Sequence, residues 1–140
     1  GEFEQLKTLV TETRYIAKEL GGKQKLIYGT DSLIEDNAQL IKGLARLESV
    51  EHSDSPYGIR LAVPGREAWI KTDEKTLKKH HKNLENRVEK TQSTISQLEA
   101  RLSNDSYVQN APAQLVEETK RQLSDQKHLK ERLENELTLS

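Results

Sequence analysis

From Leu77 onward, side chains suited to a helix seam recur in steps that alternate four and three: Leu77, His81, Leu84, Val88, Thr91, Ile95, Leu98 and Leu102. A second series runs Val116, Thr119, Leu123, Gln126, Lys130, Leu133 and Leu137. This spacing lays a stripe along one side of a helix and is the pattern of a coiled coil. The segment between them, Leu102 to Pro112, is too short for a parallel return, so the two helices must pack antiparallel. Facing residues of an antiparallel pair have numbers of nearly constant sum. Pairing Leu102 with Val116, Ile95 with Leu123, Val88 with Lys130 and His81 with Leu137 meets that condition at every layer. Residues 72–140 are therefore predicted to form an antiparallel coiled-coil arm with its tip at 103–112, reaching roughly 40 Å at 1.5 Å per residue.

The middle of this arm is weak. Thr91 and Gln126 make a polar layer, and Lys130 has to run its stem out past Val88 to keep its ammonium in water. Polar seam positions lower stability and fix register. The two flanking edges differ in charge. On one, Glu99 is expected to face Lys120 and Gln92 to face Lys127. On the other, Arg87, Thr94 and Arg101 face Leu129, Gln122 and Leu115 with no acid among them, and Lys90 and Gln97 stand beside the row. Guanidiniums, amides and exposed leucines suit contact with phosphates and unstacked bases, so Arg87, Lys90, Thr94, Gln97, Arg101 and Gln122 are the candidate RNA-contacting residues. An ordinary solvated face, or an edge docked on a protein neighbour, accounts for the same residues.

Ahead of the arm, residues 1–71 read as a small α/β platform. Leu6, Leu9, Val10, Ile16, Ala17 and Leu20 have helical spacing, stopped by Gly21-Gly22. Lys25 to Tyr28 reads as a strand. Ser32 with Glu35 reads as a capping box opening a second helix, with a stripe of Leu33, Ile34, Asn37, Leu40, Ile41 and Leu44. Three short β-type runs follow, Leu47 to His52, Gly58 to Val63 and Glu67 to Ile70, separated by the turn sequences Ser53-Asp54-Ser55-Pro56 and Pro64-Gly65. Helix, strand, helix and a three-stranded antiparallel meander make an α+β fold, with Trp69 expected in the core.

Composition fits this division. With 33% hydrophobic and 4% aromatic residues in 140, the compact core must be small. A net charge of -1 carries no global basic field, so any nucleic-acid surface must be local. Cysteine is absent, which removes disulfides, thiolate metal sites and a thiol nucleophile and is expected of a cytoplasmic protein. No run approaches the length of a membrane span, so no membrane partner is expected. The absence of Met and the Gly-Glu-Phe start are expected of a chain cut from a longer one. Glycine-rich phosphate loops, nucleophile elbows and the His-Glu-x-x-His zinc motif are all missing, and neither His52 nor His128 has ligands at useful spacing. No catalytic residue, cofactor site or metal site is expected. A partly polar seam leaves weak self-association between hairpins open.

At the tip, the string LSNDSYVQNAPAQLVEETKRQL, Leu102 to Leu123, closely resembles the C-terminal arm of valyl-tRNA synthetases. The resemblance rests on Leu102, Ser103, Asn104, Tyr107, Val108, Ala111, Pro112, Val116 and Glu117. Ser103 and Asn104 are suited to ending the first helix, Tyr107 and Val108 to plugging the end of the seam, and Pro112 to the first turn of the next helix. Upstream, the Phe3–Leu20 helix, the stretch ending Leu44-Ala45-Arg46-Leu47-Glu48 and the Val63-Pro64-Gly65 turn with Trp69 resemble that family more loosely.

The resemblance implies a C-terminal piece of an ATP-dependent class I aminoacyl-tRNA synthetase acting in protein synthesis in the cytoplasm. ATP and catalysis would belong to the rest of the parent enzyme, and valine tRNA would be held at its outer corner, where the D and T loops meet. Members of that family carry more arginine on the arm than this chain, and Gln97 and Gln122 stand where basic residues would strengthen binding. A structural or protein-interaction hairpin, and a diverged synthetase-like accessory RNA-binding module, are the alternatives.

Overall fold

The computed structural model describes residues 1–139, and Gly1–Lys79 and His80–Thr138 form two compact units. The first unit begins with α1 (Glu2–Leu20), whose inward face carries Leu9, Thr13 and Ile16. Thr13 is tolerated there because its hydroxyl donates to the Leu9 carbonyl at 2.7 Å. Gly21, at φ 75°, ends the helix in a conformation that costs a glycine little.

The strand β1 (Lys25–Tyr28) follows, then α2 (Ser32–Asp36) and α3 (Ala38–Leu44). The single helix expected from Ser32 is thus two. Asn37 sits between them and donates its side-chain amide to the Leu33 carbonyl at 2.8 Å, the local competition with helix bonding that asparagine offers. The break shifts the helical phase. Ile41 and Ala45 are buried, whereas Leu40 and Leu44, expected in the stripe, are 50% and 51% exposed. The cap also differs: Asp31, not Ser32, accepts from the Ile34 amide at 3.1 Å, and its carboxylate is held by Arg66 at 2.8 Å. Beyond α3, Arg46 takes the left-handed conformation at φ 55°, and Leu47 donates back to the Lys42 carbonyl at 2.9 Å, a helix end that usually employs glycine.

The remaining strands are β2 (Ser49–His52), β3 (Ile59–Arg60) and β4 (Ala68–Ile70). They form a four-stranded mixed sheet in the order β2-β1-β4-β3. The α+β class is as expected, but the three-stranded meander is not what forms. Only β3 and β4 make a hairpin; β2 lies on the other side of β1 and parallel to it. The physical reason lies in β1, where Leu26, Ile27 and Tyr28 are all buried. A strand apolar on both faces belongs in the middle of a sheet, and β1 fills that place between β2 and β4.

Helices α1, α2 and α3 contribute Leu9, Ile16, Ile34 and Ile41 to a cluster with Leu26, Tyr28, Ile59, Ala68 and Ile70 of the sheet. Strand alternation then turns Ile27, Trp69 and Arg60 to the opposite face. Trp69, expected in the core, is only half-buried there, with the Arg60 guanidinium 5.5 Å from its ring centre.

Two long antiparallel helices, α4 (Glu74–Leu102) and α6 (Ala113–Leu139), joined through the short α5 (Asp105–Asn110), supply the second unit from His80 to Thr138. Leu84, Thr91, Ile95 and Leu98 of α4 are buried, as are Val116, Thr119 and Leu133 of α6, on the two heptad stripes. Thr91 is buried in the polar layer with Gln126 half-buried, and the Lys130 ammonium leaves the seam to reach Glu134 at 3.9 Å. No helix among the described residues is long and apolar enough to cross a membrane.

Two outcomes follow from this packing. Gly58 stands at φ 144°, and a Cβ there would run into the Ile70 carbonyl, so Gly58→Ala should cost on the order of 3 kcal/mol in urea unfolding. At the start of α4, hydrogen bonding from the Thr76 side chain and from its amide, which donates to Asp73 at 2.7 Å, holds the Asp73 carboxyl below the usual range. A carboxyl depressed in the folded state stabilises above its unfolded pKa and loses that contribution as pH falls through the folded one. Asp73→Ala should therefore lower the thermal midpoint at neutral pH and leave it unchanged in strong acid, where wild type has also lost the cap.

Candidate nucleic-acid interface

The candidate residues lie on one edge of the hairpin because they follow the seam at heptad spacing: Arg87, Thr94 and Arg101 on α4, with Leu129, Gln122 and Leu115 on α6. The structure does not present that row evenly. Towards the tip Arg101, Gln97, Gln122 and Leu115 are exposed, and Lys90 is exposed beside them. Thr94 is half-buried and donates its hydroxyl to the Lys90 carbonyl at 3.2 Å. Away from the tip the same row turns inward. Arg87 and Leu129 are half-buried, and the next heptad positions, His80 and Glu136, are 4% and 5% exposed.

The cause is the mismatch between 3.6 residues per turn and a seven-residue repeat. A straight helix drifts about 20° per heptad, so the row that flanks the seam near the tip enters it further along. This also explains the histidines. His81 was expected on the seam, but His80 is the buried one, while His81 is on the surface side and contacts Glu85 at 3.0 Å. Heptad counting from Leu129 leads to Glu136, but only the structure shows that this carboxylate is buried.

On the other edge Glu99 reaches Lys127 at 3.8 Å, one heptad beyond the expected Lys120. Lys120 is taken by Glu117 on its own helix at 3.3 Å. Gln92 donates to Ser96 at 3.2 Å rather than facing Lys127. The charged groups of this edge are largely solvated, so the exchange of partners costs little. The contrast between edges persists: one interleaves acids and lysines, the other offers Arg101, Lys90 and two glutamines near the tip.

The tip itself is built by local hydrogen bonds. α4 ends at Leu102, and Asn104 caps α5 by accepting from the Tyr107 amide at 3.3 Å. Pro112 stands one position before α6 and accepts from the amides of Leu115 and Val116, as an N-cap rather than a first-turn residue. Tyr107 is half-buried, and its hydroxyl lies 2.9 Å from that of Thr119 in the seam. The Arg101 guanidinium stands 6.0 Å from the Tyr107 ring centre, so the aromatic side chain positions a cation of the candidate row. Val108 was expected to share the plugging role, but it is 41% exposed; the short α5 turns Tyr107 inward and its neighbour outward. Among the described residues no group of three or more His, Cys, Asp or Glu could hold a metal ion.

This geometry is that of a helical hairpin with an asymmetric pair of edges. The family model described as the valyl tRNA synthetase tRNA binding arm matches residues 67–139, and the chain belongs to that family. Two valine–tRNA ligases are similar over 96% of the chain, from Deinococcus radiodurans at 28% identity and from Thermotoga maritima at 29%. The matched part of those relatives is their C-terminal part. The chain spans only 15% of the first and 16% of the second.

Tyr107→Phe removes one half-buried hydroxyl contact and should cost about 1 kcal/mol. It should also raise hydrogen exchange of the α5 amides above that of the long helices, as read by exchange mass spectrometry.

Proposed function

We propose that the chain is the tRNA-docking part of a valine–tRNA ligase, with catalysis and ATP handling in the rest of the parent enzyme. The observation that carries this is the match of residues 67–139 to the tRNA binding arm, which covers the whole hairpin and its tip. In this reading the hairpin is a coiled coil that lies along the outer corner of tRNA, where the D and T loops meet, and holds it for aminoacylation. The cytoplasm is the compartment where such an enzyme would work.

The edge bearing Arg87, Lys90, Thr94, Gln97, Arg101 and Gln122 is the contact surface. Arginine and lysine supply the salt-dependent attraction to phosphates, and amides meet loop bases whose edges are not paired. The exposure gradient adds a ranking. Arg101, exposed and steadied by Tyr107, contributes more than half-buried Arg87. With so few cations the attraction is modest, and the hairpin positions tRNA that the rest of the ligase selects.

Arg87→Glu combined with Arg101→Glu should weaken tRNA binding by tenfold or more and reduce the slope of log affinity against log salt by roughly 2 in filter-binding titrations. Glu99→Lys on the opposite edge should change neither quantity appreciably. Unchanged affinity and salt slope in the double variant would return the hairpin to a protein-docking role.

A further inference from the structure

The face of the sheet turned away from α1, α2 and α3 carries a second set of groups that the hairpin does not use. Backbone pairing aligns one residue from each strand across it: Glu51 beside Ile27, Ile27 beside Trp69, and Trp69 beside Arg60. One pair further along, Lys71 donates its amide to the Lys25 carbonyl at 2.9 Å, so two lysines stand side by side on neighbouring strands. Both alternate with the core residues Leu26 and Ile70, which puts them on the same face as Trp69.

Two features of this face are unfavourable for the chain alone. Like charges directly opposite on adjacent strands repel, and neither Lys25 nor Lys71 has an ion-pair partner among the described residues. Trp69, the single tryptophan of the sequence, is only half-buried where a core position was expected. An anion between the lysines relieves the first cost, and a flat apolar ring against Trp69 relieves the second.

Beside Lys71 a cavity of about 340 Å³ opens on the same face, lined among others by Ile27, Glu51, Ser55, Tyr57 and Thr72. Tyr57 is 49% exposed. Pockets for small ligands begin at about 300 Å³, so the space admits a nucleobase. Trp69 and Lys71 are two residues apart along an extended segment, roughly 7 Å, which is the scale on which a nucleotide separates its base from its phosphate.

We propose that this sheet face is a second RNA contact, separate from the hairpin edge, that takes an unstacked stretch of RNA. A phosphate sits between Lys25 and Lys71, one base stacks at Trp69 against the Arg60 guanidinium that lies over its ring, and the neighbouring base enters the cavity. Open sheets with aromatic and cationic side chains bind single strands in this manner, because every base has a face to stack and every linkage carries a charge. Glu51, the one acid of the row, is an acceptor suited to an exocyclic amine. The inference rests on the RNA-binding reading given above, but it uses none of the residues of the hairpin edge.

Because Trp69 is the sole tryptophan, its emission reports directly on this face. A short single-stranded RNA titrated into the intact chain should quench that emission saturably. Lys25→Glu with Lys71→Glu should weaken the titration at least about tenfold, and Lys25→Gln with Lys71→Gln should fall between, with circular dichroism confirming that both variants fold. Arg87→Glu with Arg101→Glu should leave the quenching intact.

Labelled tRNA, followed by anisotropy in parallel, separates the two surfaces. Binding of tRNA by wild type without any quenching by the short RNA overturns the sheet site and leaves the hairpin reading standing. Quenching that persists when the arginine pair no longer affects tRNA supports the sheet site while removing the hairpin edge. Quenching equal in wild type and in the Lys→Glu pair overturns the proposal. So does an emission change that comes only from adding the remainder of a parent ligase, which would assign the face to a protein contact.

Discussion

The hairpin depends on a conflict between two periods. Side chains repeat every seven residues, while an α-helix turns once in 3.6, so a seam written in strict heptads cannot stay on one line of a straight helix. Near the tip the inward stripe is Ile95, Leu98, Val116 and Thr119; further along it takes in His80 and Glu136. Everything flanking the seam moves with it. The row beginning at Arg101 is open to solvent at one end and closed by a buried carboxylate at the other. An edge that looks uniform in the sequence therefore becomes graded in space, and its tip half is the solvent-exposed one.

The tip converts that gradation into a surface of defined shape. Tyr107 joins three things: its amide is held by the Asn104 cap, its hydroxyl meets Thr119 in the seam, and its ring faces the Arg101 guanidinium. A long arginine on an open helix face loses much rotamer freedom on binding. Stacking near an aromatic ring that is itself fixed reduces what remains to be lost. The same end of the hairpin leaves Val108 and Leu115 exposed.

The platform follows a different constraint, the two-sided burial of β1. Placing Leu26, Ile27 and Tyr28 at the centre forces β2 to one side and the β3–β4 hairpin to the other. With α1, α2 and α3 all supplying one face, the second face carries Ile27, Trp69 and Arg60, with Ser53, Ser55 and Tyr57 of the β2–β3 connection lining a cavity beside Ile27. A small chain with few aromatics has placed its only tryptophan there. That placement follows from alternation once Ala68 and Ile70 are committed to the core.

Much of this was legible in the residues. Helix α1, the strand at Lys25, the two long helices, the polar layer at Thr91 and the outward path of Lys130 all follow from period and turn chemistry, because each is decided within a few neighbouring residues. The kinship with valyl-tRNA synthetase arms was legible from the string at the tip, where caps and the aromatic occur in a fixed order. What the sequence could not decide depends on partners far along the chain. The sheet order, the outward turn of Trp69, the phase shift at Asn37 that exposes Leu40 and Leu44, and the exchange of Lys120 for Lys127 beside Glu99 are set only when separate segments compete for the same space. Periodicity tells which side of an element is apolar; only tertiary packing decides what lies opposite it, and so which of two apolar or charged sides is left facing water.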